Sequence, residues 1–231
     1  MSRLYVIGTP IGNLEDVTLR ALRILKEVDV ILCEDTRVTK RLLSRCEINN
    51  KQLTTYNGEK SGASIEKIIE LLKEGKNLAL VTDAGTPGIS DPGSFLVAEL
   101  RKEATISRLN LDIVAVPGPS AVTSALSISG FPADDFLFLG FLPHKKGRET
   151  LFKEIRESKR TVVFYESTHR IIKTLQKLAE IIPRDRTVAV ARELTKIHEE
   201  VFSGTAEEAL NYFLKTSVKQ KGEFVVIVSK C

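Results

Sequence analysis

Short apolar runs alternate with amphipathic runs along the whole chain, and this alternation constrains the fold more than any other feature of the sequence. The apolar runs are rich in Val, Ile and Phe, which is typical of strands covered on both faces. They predict strands at residues 4–7, 28–33, 78–82, 113–116, 136–141, 161–165, 187–191, 199–203 and 224–228. The amphipathic runs predict helices at residues 17–26, 64–74, 95–103, 171–181 and 206–214. Such alternation indicates an α/β fold.

The length of the chain, 231 residues, allows one large domain or two small ones. A cluster of Gly, Pro and Asp at residues 127–135 follows a helix-like run and marks the best boundary. We therefore predict two α/β domains, residues 1–127 and 128–231. The last two predicted strands are separated by a single helix, which favours a mixed sheet in the second domain.

Composition limits the class of protein. Hydrophobic residues make up 42% of the chain and charged residues 28%, enough apolar material for a sizeable core, which excludes a disordered or collagen-like chain. No window reaches 18 uninterrupted apolar residues, and the first residues run at once into Gly and Pro, so we expect neither a membrane span nor a secretory signal. The net charge, 34 − 30 = +4, is compatible with a polyanionic partner without requiring one.

The cysteines and histidines are few and scattered. They are Cys33, Cys46, Cys231, His144, His169 and His198. Their spacing matches neither a disulfide framework nor a zinc site, so we predict no metal and a reducing, cytoplasmic location.

Three loops that follow predicted strands are dense in Gly and Pro: residues 8–13, 83–93 and 117–121. Glycine lets the backbone approach a ligand closely, and proline keeps that approach rigid. Any one of these loops alone is explained by a tight strand-to-helix turn, but three in one chain favour a ligand-binding rim. The P-loop and GxGxxG patterns are absent, so a small zwitterionic ligand suits these loops better than a nucleoside triphosphate.

Seven segments, in order, resemble a known family: LYVIGTPIGNLEDVTLRAL, CEDTRVTKRLL, LVTDAGTPGISDPG, VPGPSA, FLGFLPHKKGR, FYESTHR and ARELTKIHEEVFSGT. They are similar to the small-subunit ribosomal RNA 2′-O-ribose methyltransferases of the tetrapyrrole methylase (class III) superfamily, and the resemblance runs from residue 4 to residue 228. It implies two α/β domains with S-adenosylmethionine in the cleft between them. It also implies a homodimer that methylates the ribose 2′-hydroxyl of a cytidine in the decoding region of 16S rRNA. Val38 stands where the family pattern has a His, which removes one candidate RNA contact.

The resemblance also implies which residues hold the cofactor. Those of the first domain and its border are Pro10, Gly85, Thr86, Ile89, Ser120 and Ala121, and those closing over the pocket from the second domain are Phe164, Tyr165 and Ala191. Core packing explains Phe164 equally well.

Charged residues placed directly after buried strands are the candidates for catalysis, because a charge is awkward there unless it is used. They are Glu34, Asp35, Arg37, Glu166, Arg192, Glu193 and Lys196. A ribose hydroxyl is a poor nucleophile at neutral pH, so a general base is useful. The choice of that base among the four carboxylates stays open, and a helix cap or a solvated face is the alternative for each of them.

A basic segment at residues 143–148 (PHKKGR) is predicted to be an exposed arm on the rRNA backbone. Its cations are Lys145, Lys146 and Arg148, and Arg170 is expected to bind RNA as well. No apolar anchor lies within the segment, so we expect it to be exposed. The alternative is a solvated loop that aids solubility.

Two other functions remain open at this point. A class III methylase of a small, corrin-type substrate would share the fold but would not need the basic segment. A non-catalytic RNA-binding α/β protein would suit the basic segments but gives no reason for three rigid Gly/Pro loops.

Overall fold

The computed structural model describes residues 2–58 and 64–230 and divides the chain into two compact units, Met1–Ser120 and Ala121–Cys231. Each unit has its own five-stranded sheet, which confirms the predicted α/β class with two domains. The division comes earlier than the predicted boundary at residues 127 and 128, which lies inside the helix Ala121–Ser129. This helix packs against strands of the second unit and therefore belongs to it.

The first unit is a parallel sheet covered by helices. In chain order it comprises β1 Ser2–Ile7, α1 Leu19–Glu27, β2 Val30–Cys33, α2 Thr36–Arg45, β3 Gln52–Thr55, α3 Ile65–Lys73, β4 Leu78–Leu80, α4 Gly93–Ile106 and β5 Leu111–Val116. The strand order is β3-β2-β4-β1-β5, and every neighbouring pair is parallel.

Strands β2 and β4 of this sheet are buried on both faces, as their apolar runs predict. Successive side chains of a strand point to opposite faces, so Val30 and Leu32 of β2 enter one core cluster while Ile31 enters the other. Side-chain caps begin the helices: Thr18 Oγ1 accepts the amide of Ala21 at the start of α1. Neither β3 nor α2 is among the predicted elements. β3 has the polar sequence QLTT at a sheet edge, so it lacks the apolar run that marks a strand.

The second unit is a mixed sheet. It comprises α5 Ala121–Ser129, β6 Phe136–Phe141, α6 Arg148–Glu157, β7 Thr161–Ser167, α7 Ile171–Ile181, β8 Thr187–Arg192, β9 Glu200–Thr205, α8 Ala206–Leu214 and β10 Glu223–Val228. The order is β6-β7-β10-β8-β9, with β6 parallel to β7 and the remaining pairs antiparallel. The predicted mixed sheet, closed by β9 and β10, is confirmed.

One face of this second sheet packs on an aromatic core. Phe152, Phe164, Phe213 and Phe224 are all buried there beside residues of α7. The opposite face carries Tyr165, which lies in register between Phe141 of β6 and Val225 of β10.

No helix in the described ranges is long and apolar enough to cross a membrane. Cys33 and Cys46 are free thiols, and Cys231 lies outside the described residues.

Candidate active site

The three Gly/Pro loops meet at the carboxyl edge of the parallel sheet. They follow β4, β1 and β5, which are neighbours in the strand order, so the loops leave the sheet side by side. Backbone hydrogen bonds join them directly. The amide of Thr9 donates to the carbonyl of Gly85 at 2.9 Å, the amide of Gly85 donates back to Thr9 at 3.1 Å, and the amide of Gly8 donates to Val116 at 3.1 Å. We call this set of loops the rim.

Two glycines allow the loops after β1 and β5 to touch. A Cβ on Gly118 would lie 2.7 Å from the carbonyl oxygen of Gly8, and a Cβ on Gly8 would lie 2.8 Å from the Cα of Gly118. Both neighbours are backbone atoms, which cannot move aside as a flexible side chain can. Sequence reasoning missed this pair, although each glycine lies within two residues of a strand end.

Gly85 is required for a different reason. A Cβ on it would meet Ile11 Cγ2 at 3.5 Å, an ordinary contact, but its φ of +88° belongs to the left-handed region. Next to it, Thr86 Oγ1 donates to the carbonyl of Pro119 at 3.1 Å and links the loop after β4 to the loop after β5.

The remainder of the loop after β4 is braced by Asp91. Its carboxylate accepts the amides of Gly88, at 2.8 and 2.9 Å, and of Gly93, at 2.7 Å. Ser90 takes a φ of +66°, and the side chain of Ile89 is left exposed. The loop therefore presents an apolar side chain on a rigid backbone.

The expected cofactor residues separate into three groups. Those of the rim are Pro10, Gly85, Thr86, Ile89 and Ser120, all in the first unit, while Ala121 begins α5 in the second unit. Tyr165 and Ala191 share the face of the second sheet opposite the aromatic core. Phe164 is fully buried within that core, which favours core packing for its side chain, the alternative that the sequence left open.

The predicted acidic pair after β2 is tied to the rim. Thr82 Oγ1 donates a hydrogen bond to the carboxylate of Glu34, and the amide of Asp35 donates to Asp83 Oδ1 at 3.1 Å. Asp35 also caps α2, because its carboxylate accepts a hydrogen bond from the amide of Arg37 at 2.7 Å. The Arg37 guanidinium donates to the same carboxylate at 2.6 Å. The bound guanidinium lowers the pKa of Asp35 to about 2.

Asp83 is a carboxylate that sequence reasoning did not single out. Burial raises its pKa, and the neighbouring Asp35 charge raises it further, against the hydrogen bond from the Asp35 amide. A general base works best with a pKa near the working pH. The pKa of Asp83 is thus raised while that of its neighbour Asp35 is lowered. Its position three residues after the end of β4, ahead of the Gly/Pro run, was the available signal.

Glu166 in the second unit is committed to structural partners. Its carboxylate is fully buried and accepts Thr174 Oγ1 at 2.6 Å and the Ser167 amide at 2.8 Å. The guanidinium groups of Arg170 and Arg148 lie 2.8 and 3.4 Å from it. With both oxygens occupied by donors, Glu166 is a poor candidate for a general base.

The same two arginines hold the base of the basic segment. Arg170 donates to the carbonyl of Leu142 at 2.5 Å, and Arg148 donates to the carbonyl of Pro143 at 3.2 Å and stacks over the Phe152 ring at 5.0 Å. The expectation that Arg148 is exposed is therefore wrong: its side chain is 15% exposed. The anchor is an ion pair with Glu166 rather than an apolar side chain within the segment. Lys145 and Lys146 are exposed as predicted.

The expected cluster after β8 is held by the segment that leads into β10. Arg192 is buried and donates to the carbonyls of Lys221, at 2.6 Å, and Val218, at 3.0 Å. Lys196 bridges the carboxylates of Glu193, at 3.0 Å, and Glu223, at 2.8 Å. Arg192 and Lys196 are thus bound to structural partners.

Glu193 takes a φ of +52°, and a Cβ on Gly222 would lie 2.6 Å from its Cγ. Burial raises the pKa of Glu193, but the Glu223 amide and Lys196 lower it by more, which weakens it as a base. The predicted association of this cluster with Glu34, Asp35 and Arg37 of the first unit stays a prediction. Among the described residues, no group of three or more His, Cys, Asp or Glu is placed to hold a metal ion.

Comparison with known proteins places these features in a family. The model of the tetrapyrrole (corrin/porphyrin) methylases matches residues 3–210. The chain is 48% identical over 229 residues to the ribosomal RNA small subunit methyltransferase I of Thermotoga maritima, covering 99% of each protein. It is 42% identical over 227 residues to the protein of the same name from Escherichia coli O157:H7, covering 98% of this chain and 77% of that one.

Solved structures share the fold. The methyltransferase CobJ matches with a TM-score of 0.68 at 21% identity, covering 100% of this chain and 94% of that one. The uroporphyrin-III C-methyl transferase from Thermus thermophilus, complexed with S-adenosyl homocysteine, matches with a TM-score of 0.65 at 18% identity, covering 98% and 97%. At these identities the likeness establishes the fold alone.

The Gly8–Gly118 contact predicts that Gly118→Ala pushes two rim loops apart. We expect the affinity for S-adenosylmethionine, measured by calorimetry, to fall about tenfold or more, a loss of roughly 1.4 kcal/mol. Gly75→Ala is the matched control, because Gly75 has a φ of +88° with no atom within 4 Å of the added Cβ. It should lose stability and keep its affinity. Equal affinities for the two variants would show that the close approach does not shape the site.

The Arg37–Asp35 pair predicts a measurable pH effect. A carboxylate whose pKa is depressed in the folded state stabilises the protein above its ordinary pKa, here 3.8, and this contribution is lost as the pH falls toward about 2. In Arg37→Gln, NMR titration of the carboxyl carbons should find the Asp35 pKa raised toward 3.8. Lys40→Gln should leave it low. An Asp35 pKa of about 2 in both variants would mean that Arg37 does not lower the pKa of this carboxyl group.

The buried network predicts that Glu166→Gln keeps substantial turnover while losing stability in urea denaturation. Glu166→Ala should lose more, about 3–5 kcal/mol, because two half-buried guanidinium groups are left without their carboxylate. Glu180→Gln, on the exposed side of α7, is the control and should change neither quantity. Complete loss of turnover in Glu166→Gln at wild-type stability would instead identify Glu166 as the base.

Proposed function

The chain belongs to the tetrapyrrole methylase family, among the ribosomal RNA small subunit methyltransferase I proteins, and we propose that it methylates the ribose 2′-hydroxyl of a cytidine in the decoding region of 16S rRNA. The observation that carries this proposal is the 48% identity to such a protein over 99% of both chains. The corrin-type alternative rests on structures that share only the fold, at 17–21% identity.

The chemistry of the rim suits S-adenosylmethionine. The cofactor is a cation at its sulfonium and a zwitterion at its amino-acid end, so carbonyls, hydroxyls and carboxylates are suitable partners. The rim carries the hydroxyl of Thr86, and the carboxylates of Glu34 and Asp83 are hydrogen-bonded next to it. When bound, the cofactor supplies an electrophilic methyl group. Within the first unit, we assign its binding to Pro10, Gly85, Thr86, Ile89 and Ser120.

The protein's main task in this reaction is to hold the reacting groups in line. Hydrogen bonds between the rim loops fix them relative to one another before any ligand arrives. A carboxylate that takes the proton of the ribose hydroxyl assists the attack, and we assign this role to Asp83, which accepts the Asp35 amide at the carboxyl edge of the sheet. Asp35 and Arg37 act by fixing the start of α2 and the charge beside Asp83.

Recognition of rRNA involves the loop after β6. Lys145 and Lys146 are exposed, while Arg148 and Arg170 hold the base of the loop through Glu166. We assign phosphate contact to the two lysines and positioning to the two arginines. A cytoplasmic homodimer is part of the same proposal, supported by the family and by the exposed apolar side chains of β6 and β9.

The direct test uses the purified chain, labelled S-adenosylmethionine and small ribosomal subunits from cells that lack this modification. We expect label in 16S rRNA, recovered as 2′-O-methylcytidine after digestion. Subunits that already carry the methyl group are the control and should accept none. Calorimetry with the cofactor should give the same heat with and without chelator, because the proposed site uses no metal.

Label on a base instead of the ribose, or equal labelling of the two subunit preparations, would contradict the proposed reaction. Loss of the binding heat in chelator would contradict the metal-free site.

A further inference from the structure

Helix α2 carries a stripe of positive charge. Its ten residues hold four cations and no acidic residue. Arg37, Lys40, Arg41 and Arg45 recur at the spacing of one helix face, opposite buried Leu43 and its neighbours. The stripe is about 12 Å long, since eight residues separate its ends at about 1.5 Å each.

The excess of positive charge on α2 is not shared by the first unit as a whole. Residues 1–120 contain 16 Lys and Arg against 16 Asp and Glu, so the unit has no net formal charge. Other helices of the unit mix the two signs. Arg23 pairs with Glu27 within α1 at 2.9 Å, and Lys73 of α3 pairs with Glu103 of α4 at 3.2 Å. Helix α2 differs from them, because it carries cations without acidic residues.

The stripe costs the helix stability rather than adding to it. Arg37, Arg41 and Arg45 are spaced four residues apart, and like charges at this spacing repel one another on a helix. A Glu at one of these positions would instead have formed a favourable pair with its neighbour. Only Arg37 is paired, with Asp35. Across residues 2–58 and 64–230, no carboxylate lies within ion-pair distance of Lys40, Arg41 or Arg45, and all three side chains are exposed.

The stripe begins at the rim. Asp35 caps α2, and its amide is bonded to Asp83, so the first turn of the helix is fixed beside the proposed proton acceptor. From there the helix leads away from the carboxyl edge of the sheet. A polyanion reaching the rim would therefore meet three unpaired cations along this helix.

We propose that Lys40, Arg41 and Arg45 of α2 bind the phosphate backbone of the substrate RNA next to the site. This inference rests on the proposed function and adds a second RNA contact, on the first unit, to that of Lys145 and Lys146. Phosphates neutralise the repulsion within the stripe and take the place of the missing carboxylates.

The test compares two triple variants with the same loss of charge. One is Lys40→Gln/Arg41→Gln/Arg45→Gln. The control is Lys67→Gln/Arg101→Gln/Lys102→Gln, which removes exposed cations from α3 and α4 of the same unit. Binding to purified small ribosomal subunits is measured between 50 and 200 mM salt, together with the affinity for S-adenosylmethionine and with turnover.

Each phosphate contact contributes about 0.7–0.9 to the slope of log K against log salt. The slope of the α2 variant should therefore be smaller than that of the wild type by about two. Over the fourfold salt range, the wild-type affinity should then fall about 16-fold more than the affinity of the variant. The control should keep the wild-type slope, and both should bind the cofactor normally. If the triple variant is unstable, the double variant Lys40→Gln/Arg41→Gln replaces it in the same measurement. We expect its slope to be smaller than that of the wild type by about 1.5.

A slope for the α2 variant equal to that of the control would overturn the proposal and leave α2 as a solvated face. Weaker binding with an unchanged slope would overturn it in favour of contact with a ribosomal protein. Failure of the wild type to methylate subunits it binds would contradict the proposed reaction instead, and the slopes would still decide whether α2 contacts phosphate.

Discussion

The close approach of two backbone segments at Gly8 and Gly118 is the constraint on which the rest of the site depends. A parallel sheet brings the ends of β4, β1 and β5 to one edge, but only residues without a Cβ let the loops after β1 and β5 touch there. The reciprocal bonds between Thr9 and Gly85 then fix the third loop. The result is a set of loops fixed to one another at the carboxyl edge of the sheet.

In the second unit, the charged side chains singled out from the sequence mostly bind the protein itself. Arg192 is bound to carbonyls of the segment before β10, and Glu166 pairs with two arginines that hold the loop after β6. Buried charges need such partners, because an unpaired one is costly. Few titratable groups remain for chemistry, which agrees with a reaction that depends on alignment more than on acid–base strength. Asp83 stands out because burial raises its pKa while Arg37 keeps that of Asp35 low.

Most of the fold was predictable from the sequence, because strands buried on both faces give uninterrupted apolar runs. β3 was not, since a polar edge strand such as Gln52–Thr55 carries no such run. The loops that form the candidate site were predictable from the sequence, but the contacts between their residues were not. The meeting of Gly8 with Gly118 depends on strand order, and the burial of Arg148 depends on Glu166, which lies 18 residues away in the sequence. Phe164 was ambiguous because a buried strand offers two faces, and only packing decides which one meets the core.

Mass mapping of 16S rRNA from cells with and without this chain tests the central claim most directly. If the chain methylates a ribose of the decoding region, one cytidine there should lose a single methyl group in the deleted strain. Returning the wild-type gene should restore it, and returning Gly118→Ala should restore less. Identical 16S rRNA from the two strains, or a missing methyl group on a base, would contradict the account.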